Sequence, residues 1–299
     1  MEQANKNIFY ILMFFAMIGW GASWVNAKIL SLYINEFEMV FFRFLITAIT
    51  MVPIILFLKK SFKINIKDFI LVIVTSIVFI AYMKYFFLGT KFGTASLGGA
   101  FVTTLIPINT FLILVLFRAK ELVKKDIIAL CIGAIGVLTM INIWEFDTQQ
   151  IFVKQNLYFI LASFLWPIVT ILSAKSTNIS PIVFTFYLYI VTVILDTIFF
   201  IDFNTINYAS FDSIFWINIF SIAILASTFA NTIYFLGVEK LGSSEVSSFI
   251  FLVPFAAILL SVVFLKEEIS ISIIIGTILT LIAVKILNNI KIFQRGYNK

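Results

Sequence analysis

Apolar runs of about 20 residues, the length a helix needs to cross the hydrocarbon core of a bilayer, succeed one another along the whole chain. They cover roughly residues 7–27, 37–58, 69–90, 95–117, 126–143, 157–174, 181–201, 213–236, 243–265 and 270–289, and the breaks between them hold the Lys, Asp, Asn and Gly residues. The 36 Phe residues and the frequent Ile would favour strands in water. In lipid, every backbone N–H and C=O must pair inside its own segment, so long apolar runs become helices. The runs are also too long, and alternate too little, for barrel strands. The chain has 299 residues, so the loops are short and no separate soluble domain fits between the runs.

The fold class expected is an all-α integral membrane protein with ten transmembrane helices. Composition agrees: 62% of the residues are hydrophobic and 12% charged, against about 45–50% and about 25% in soluble domains. This excludes a soluble enzyme, a nucleic-acid-binding domain and a disordered chain. The net charge of +6 belongs to loops that face anionic headgroups, not to a nucleic-acid surface. The chain has no His, which removes the commonest metal ligand and acid-base group. Neither a metal nor a cofactor is expected, and the protein reads as not an enzyme. The single Cys131 excludes an internal disulfide framework. The first run, Ile8 to Val25, is too long for a signal-peptide core and has no strong basic flank, because Glu2 offsets Lys6. It is expected to be a retained helix.

Orientation follows from Lys and Arg. With the N-terminus in the cytoplasm, 15 of the 21 basic residues fall in cytoplasmic segments, and only Lys28, Lys91, Lys154 and Lys266 fall outside. The positive-inside rule then places both termini in the cytoplasm. Arg43 and Lys84 remain inside helices.

The two halves repeat. Phe87-Leu88-Gly89 returns as Phe235-Leu236-Gly237 at an offset of 148, and Pro107 and Glu121 return as Pro254 and Glu268 at 147. Trp20 and Trp166 stand 146 apart, in the first helix of each half. The chain therefore divides into a first five-helix repeat, residues 1–147, and a second, residues 148–299. Five is odd, so the second repeat enters the membrane from the opposite side. Inverted repeats give two nearly equivalent packings, one open to each face, with a site at the midplane.

Several motifs carry a resemblance. They are Trp20-Gly21-Ala22-Ser23 and Arg43-Phe44, then Gly93 to Ala100 leading to Pro107, and its partner Gly242 to Ser248 leading to Pro254. Glu121, Glu267 and Glu268 after the fourth and ninth helices also fit, as does Gly133-Ala134-Ile135-Gly136. In this order and spacing they resemble the drug/metabolite transporter superfamily, specifically its EamA-type ten-helix transporters. Two departures stand out. The loop glutamates follow Lys rather than Gly, and Trp166-Pro167 replaces the Trp-Gly of the first helix. The resemblance implies a multi-pass transporter of the inner (plasma) membrane, commonly an exporter, for amino acids or other small metabolites. Lipid-carrier flipping, a task of relatives in the same superfamily, is the alternative. No G-x-x-x-x-G-K-[ST] run is present, so the energy is expected from a gradient rather than ATP. The partners expected are a small-molecule substrate and the lipid bilayer, with no nucleic acid; a homodimer is left open.

Charges at membrane depth cost about 2.5–3.5 kcal/mol on insertion scales, so they ordinarily face a cavity or a partner. Four lie within helices: Arg43, Lys84, Asp196 and Glu245. Arg43 is a candidate anchor for a substrate carboxylate, or a structural partner of Asp196 or of backbone carbonyls. Lys84 either binds a substrate anion or snorkels to the interface. Asp196 pairs with a cation or couples a proton. Glu245 is a coupling carboxylate or sits at the interface beside Lys240. By the topology above, Arg43, Lys84 and Asp196 share one level near the outer helix ends. Three mixed aromatic and hydroxyl faces are candidate substrate walls, or else ordinary helix contacts. The first is Trp20, Ser23, Trp24 and Ala27; the second is Trp166, Thr170 and Ser173; the third is Ser227, Asn231 and Tyr234. Small residues with a kink, Gly98, Gly99 and Pro107 mirrored by Ser247, Ser248 and Pro254, are candidates for a gate or hinge.

Overall fold

The computed structural model describes residues 3–118, 121, 123–141, 153–176, 178–241, 249–250 and 252–288. Among them the regular structure is helical throughout, with no strand. The helices are α1 (Gln3–Leu30), α2 (Glu36–Phe57), α3 (Ile66–Phe92), α4 (Ala95–Leu116) and α5 (Lys124–Met140), then α6 (Lys154–Ala174) and α7 (Pro181–Phe199). α8 is compound: Ser213–Phe220 passes through a π-helical stretch, Ser221–Phe229, into Ala230–Leu241. α9 is Leu252–Leu260 continued by a π-helical end, Ser261–Leu265, and α10 is Ile271–Asn288. α1 to α4, α6, α7 and α8 are long and apolar enough to cross a membrane. The described apolar stretches of α9 and α10 are shorter, Leu252–Leu265 and Ile271–Ile286. Most of 243–251, where the sequence predicts the start of the ninth helix, lies outside the described residues.

Polar residues set the helix starts. Asn35 Oδ1 accepts from the N–H groups of Phe37 and Glu38 at 2.9 and 3.0 Å, while Glu38 Oε2 accepts from Asn35 N–H at 2.9 Å. This capping box satisfies donors that a helix start leaves unpaired. Asn65, Thr94 and Asp212 cap α3, α4 and α8 in the simpler way, and Pro181 opens α7, where its missing N–H costs nothing. Outward faces carry exposed Ile11, Phe15, Ile49, Leu56, Ile77, Ile198, Ile217 and Leu259. That distribution is stable only where lipid, not water, surrounds the bundle.

Helix packing repeats itself between the halves. α1 packs on α8 as α6 packs on α3, α1 on α9 as α6 on α4, and α2 on α8 as α7 on α3. α2 with α7, α4 with α9 and α5 with α10 pair across the middle. Exchanging α1–α5 for α6–α10 thus maps the first six contacts onto one another in pairs and each of the last three onto itself. The helix ends show the direction. Lys28 Nζ, near the end of α1, donates to Gly93 O at 2.6 Å. Gln155 and Phe159, near the start of α6, press on the same glycine. α1 ends and α6 begins beside Gly93. At the α5–α10 crossing the backbones touch: a Cβ on Gly276 would stand 2.5 Å from Gly136 O.

Candidate functional site at the seam of the two halves

The π-helical stretch of α8 shapes this site. Its wider turn puts the hydrogen-bond acceptor five residues back. Ser227 Oγ accordingly donates to Ile222 O at 3.2 Å, and Thr228 Oγ1 to Ala223 O at 3.0 Å. α2 reads this surface with three polar side chains. Arg43 Nε donates to Ser227 Oγ at 2.9 Å, Thr47 Oγ1 to Ala223 O at 3.2 Å, and Thr50 shares a 2.7 Å hydrogen bond with Thr228. α1 reads its other side. Trp20 Nε1 donates to Ala226 O at 3.1 Å and to Asn231 Oδ1 at 3.0 Å. Asn231 Nδ2 in turn donates to Tyr189 OH of α7 at 2.5 Å.

Aromatic rings lie near the guanidinium. Arg43 Cζ lies 5.1 Å from the centroid of Phe44, a cation–π contact. Phe44 stacks on Tyr189 at 4.7 Å and meets Phe79 at 5.0 Å. Tyr82 and Tyr189 are the phenols within electrostatic reach of Arg43. Tyr82 packs on Trp166 at 4.8 Å, and Trp20 on Tyr234 at 5.2 Å. Trp20, Arg43, Trp166, Asn231 and Tyr234 keep part of their surface accessible, whereas Phe44, Tyr82 and Tyr189 are buried behind them. Arg43 makes its single protein hydrogen bond, among the described residues, through Nε. Neither Nη group has a protein hydrogen bond among the described residues, and their fork geometry suits a carboxylate.

The sequence-nominated residues separate into groups. Trp20, Arg43, Trp166, Asn231 and Tyr234 come together here, joined by Ser227. Arg43 does not pair with Asp196, whose carboxylate has no hydrogen-bond partner among the described residues. Lys84 Nζ stands 5.5 Å over the ring of Phe37. Trp24 departs from the substrate-wall reading. Only 3% of it is exposed, and it packs on Phe86 at 4.4 Å and on Phe159 at 6.2 Å. Gly98 and Gly99 make room for it: a Cβ on Gly98 would stand 2.8 Å from Trp24 and 2.7 Å from Phe159. The hydroxyls of Ser23, Thr170 and Ser173 are spent on carbonyls of their own helices. Pro107 lies within α4 and Pro254 within α9. Glu245, Ser247 and Ser248 lie outside the described residues.

A second feature lies where α3 meets α4. Lys28 Nζ binds the last carbonyls of α3, Lys91 O at 2.9 Å and Gly93 O at 2.6 Å. Glu267, just past α9, accepts from the first N–H groups of α4, Ala95 at 2.8 Å and Ser96 at 2.9 Å. A cation at a helix C-terminus and an anion at a helix N-terminus both complement the helix dipole. The α3–α4 junction of the first half is thereby clasped by a residue of the second.

A model of the EamA-like transporter family matches the chain twice, over residues 7–142 and 153–289. The chain belongs to the EamA-like transporter family. Its two EamA-like units contain α1–α5 and α6–α10, and the polar site lies between them. Members of this family are membrane transporters. A solved crystal structure matches over 94% of this chain and 96% of its own, at 16% identity and a TM-score of 0.62, so the likeness is one of fold. No curated protein matches the sequence.

Proposed function

We propose that this chain is a secondary transporter that exports small organic anions or zwitterions, amino acids among them, across the inner (plasma) membrane by alternating access. One observation carries the reading: a guanidinium, whose protein hydrogen bond among the described residues is at Nε alone, sits near Phe44, Tyr82 and Tyr189 at the seam of the EamA-like units. No carboxylate neutralises it among the described residues. Such a group binds a carboxylate through its free fork, while the flanking rings take an apolar or aromatic body.

The proposal takes ten membrane crossings, five per unit, inverted relative to each other, with both termini cytoplasmic. The distribution of Lys and Arg supports that orientation. The meeting of the end of α1 with the start of α6 at Gly93 supports the inversion. In this orientation the Lys28–Glu267 clasp lies at the outer face and is shut. Rocking the units about the Arg43 seam opens it.

The test is a thermal-shift screen of the purified protein against amino acids, monocarboxylates and amines. A ligand that prefers the folded state raises the melting temperature. Carboxylates are expected to stabilise and simple amines are not, and Arg43→Ala is expected to abolish the response. The stabilising solute, labelled, is then expected to cross proteoliposome membranes. Stabilisation by amines alone overturns the reading. Lipid-carrier flipping is the second reading, favoured by a groove between α2 and α8. Pro53, Ile54, Phe57, Leu58, Thr232 and Leu236 line it, and its wall is almost wholly apolar. Scrambling of a labelled lipid in the same vesicles, without solute flux, would select it.

A further inference from the structure

The last turn of α7 buries a carboxylate that nothing in the bundle answers. Asp196 is fully buried, and neither Oδ1 nor Oδ2 has a hydrogen-bond partner among the described residues. Its backbone is ordinary, the carbonyl accepting from Phe200 N–H at 2.9 Å and Ile201 N–H at 3.2 Å. One turn earlier Thr192 is equally buried, and its Oγ1 is also unpartnered. Threonines in these helices donate to the carbonyl four residues back, as Thr75, Thr90, Thr104 and Thr185 do. For Thr192 that acceptor is Leu188 O, which already receives the Ser76 hydroxyl of α3 at 3.2 Å. Residues four apart share a helix face, with Cβ atoms about 5–6 Å apart. Three unanswered oxygens therefore belong to one buried face of α7, which packs on α2 and α3.

Among the described residues no cation bonds the carboxylate. Toward the middle of α7 stands the Phe44–Tyr189 stack, and toward its end the Phe37–Phe200 stack at 4.4 Å. On α2, Glu36 lies at the helix start, Glu38 Oε2 is held by Asn35 N–H and Arg43 Nε by Ser227. On α3, Tyr82 packs on Trp166. Lys84 lies two turns beyond Ser76, as Asp196 lies two turns beyond Leu188, so the Ser76–Leu188 hydrogen bond sets the two at one level. The ammonium of Lys84 is nevertheless parked on Phe37. Tyr189 accepts from Asn231 on α8, and Tyr234 packs on Trp20. None of these groups bonds Asp196.

We propose that Asp196 is a proton-binding site, and that the proton is the ion whose gradient drives the transporter. The driving role rests on the transport function proposed above; the proton site does not. An ionised carboxylate buried without donors or a partner costs several kcal/mol, and such a group neutralises instead. A metal cation asks for about six oxygens or more. The three here come from one helix. A proton needs one oxygen. Lys84 is the cation that replaces it. When rocking of the units opens the outer end, water reaches Asp196 and a proton from the outer side forms the O–H bond while Lys84 stays on Phe37. Once the outer end is shut and the inner end opens, the ammonium takes up the carboxylate, the O–H bond breaks and the proton passes to water on the cytoplasmic side. That is the direction in which an inward proton gradient drives export.

Infrared difference spectroscopy of the full-length protein in lipid nanodiscs tests the site without any solute. Wild type is expected to show the C=O stretch of a protonated carboxylic acid at neutral pH. The band should shift in D2O, be lost in alkali, be absent from Asp196→Asn and persist in Glu38→Gln. Isotope-labelled aspartate should move it in wild type, which keeps the test alive if Asp196→Asn does not fold. Added sodium at constant pH should leave it unchanged. A wild-type spectrum without the band, the same band in folded Asp196→Asn, or its loss on sodium addition overturns the proposal. The two readings fail separately. An unresponsive carboxylate screen with the aspartate band intact removes the transport reading alone, and the reverse result removes the proton site alone.

Discussion

Arg43 of the first EamA-like unit donates its Nε–H to Ser227 of the second at 2.9 Å. The bond crosses the seam about which the units would rock, and it orients the guanidinium without consuming its fork. Orientation and availability are therefore separable. Arg43→Lys keeps the charge and loses the bidentate geometry. It is expected to weaken binding of the best carboxylate in the screen at least about tenfold, or about 1.4 kcal/mol, whereas Arg43→Ala removes binding altogether. Calorimetric titration in detergent reads both. Unchanged affinity in Arg43→Ala refutes the anchor.

The chain from Trp20 through Asn231 to Tyr189 ties three helices together. Asn231→Leu leaves the Trp20 indole with Ala226 O alone and leaves the Tyr189 hydroxyl without its donor. Stranding buried polar groups costs about 1–3 kcal/mol each, so the melting temperature should fall. Trp20→Phe combined with Asn231→Leu should cost less than the two single changes together, since the residues share one network. Strict additivity in equilibrium unfolding would contradict the coupling.

Glu267 serves α4 as an N-terminal cap from a distance of more than 170 residues in sequence. Glu267→Ala is expected to cost about 0.5–2 kcal/mol, the range for lost caps, and Glu267→Gln less, because one acceptor oxygen remains. The clasp adds a second readout. A cysteine placed at Thr94 in a Cys131→Ser background should react faster with a membrane-impermeant maleimide once Glu267 is removed.

Gly276 and Gly136 let α5 and α10 touch at the backbone. A Cβ on Gly276 would lie 2.5 Å from Gly136 O and 3.0 Å from Met140 N. Neither atom belongs to a flexible side chain, so the helices themselves must separate. Gly276→Ala should destabilise by about 1–3 kcal/mol, the usual cost of overpacking. The melting temperature measures it.

Asp212 caps α8 outside the membrane-spanning segments. The Phe215 N–H donates to its carboxylate at 2.9 Å, and the Tyr33 hydroxyl contacts both oxygens at 3.1 Å. The Phe215 N–H, then the phenol, hold the carboxyl below the usual carboxylate range. A depressed folded value stabilises above the unfolded value, about 3.9 for Asp, and that contribution is lost as the pH falls through the folded value. Asp212→Asn keeps a capping oxygen but does not titrate. Its unfolding should depend less on pH in the acid range than wild type, as a pH series of melting temperatures will show.

Much of the site was legible in the residues. Trp20, Arg43, Trp166, Asn231 and Tyr234 stand out because polar or amphipathic side chains are expensive inside a membrane and must be answered. Phe44, beside the guanidinium, carries no such mark, and nothing local tells Tyr82 and Tyr189 from the chain's other eight tyrosines. In a chain with 17% aromatic residues, a ring on a helix face reads the same whether it meets lipid, a neighbour or a ligand. Trp24 shows the converse, since it shares the face of Trp20 yet is spent on packing against Gly98 and Gly99.

The sequence by itself determined the helical class, the solvent and the doubling of the chain, because backbone pairing in lipid and the length of a bilayer leave few alternatives, and because a nearly constant offset of about 147 residues is written into the residues. Only the tertiary structure decided which charges meet. Pairing across helices depends on register and on which carbonyls are already taken. The π-helical stretch that turns Ser227 toward Arg43, and the Ser76 hydroxyl that occupies Leu188 O beside Thr192 and Asp196, arise between helices far apart in sequence, where no local pattern records them.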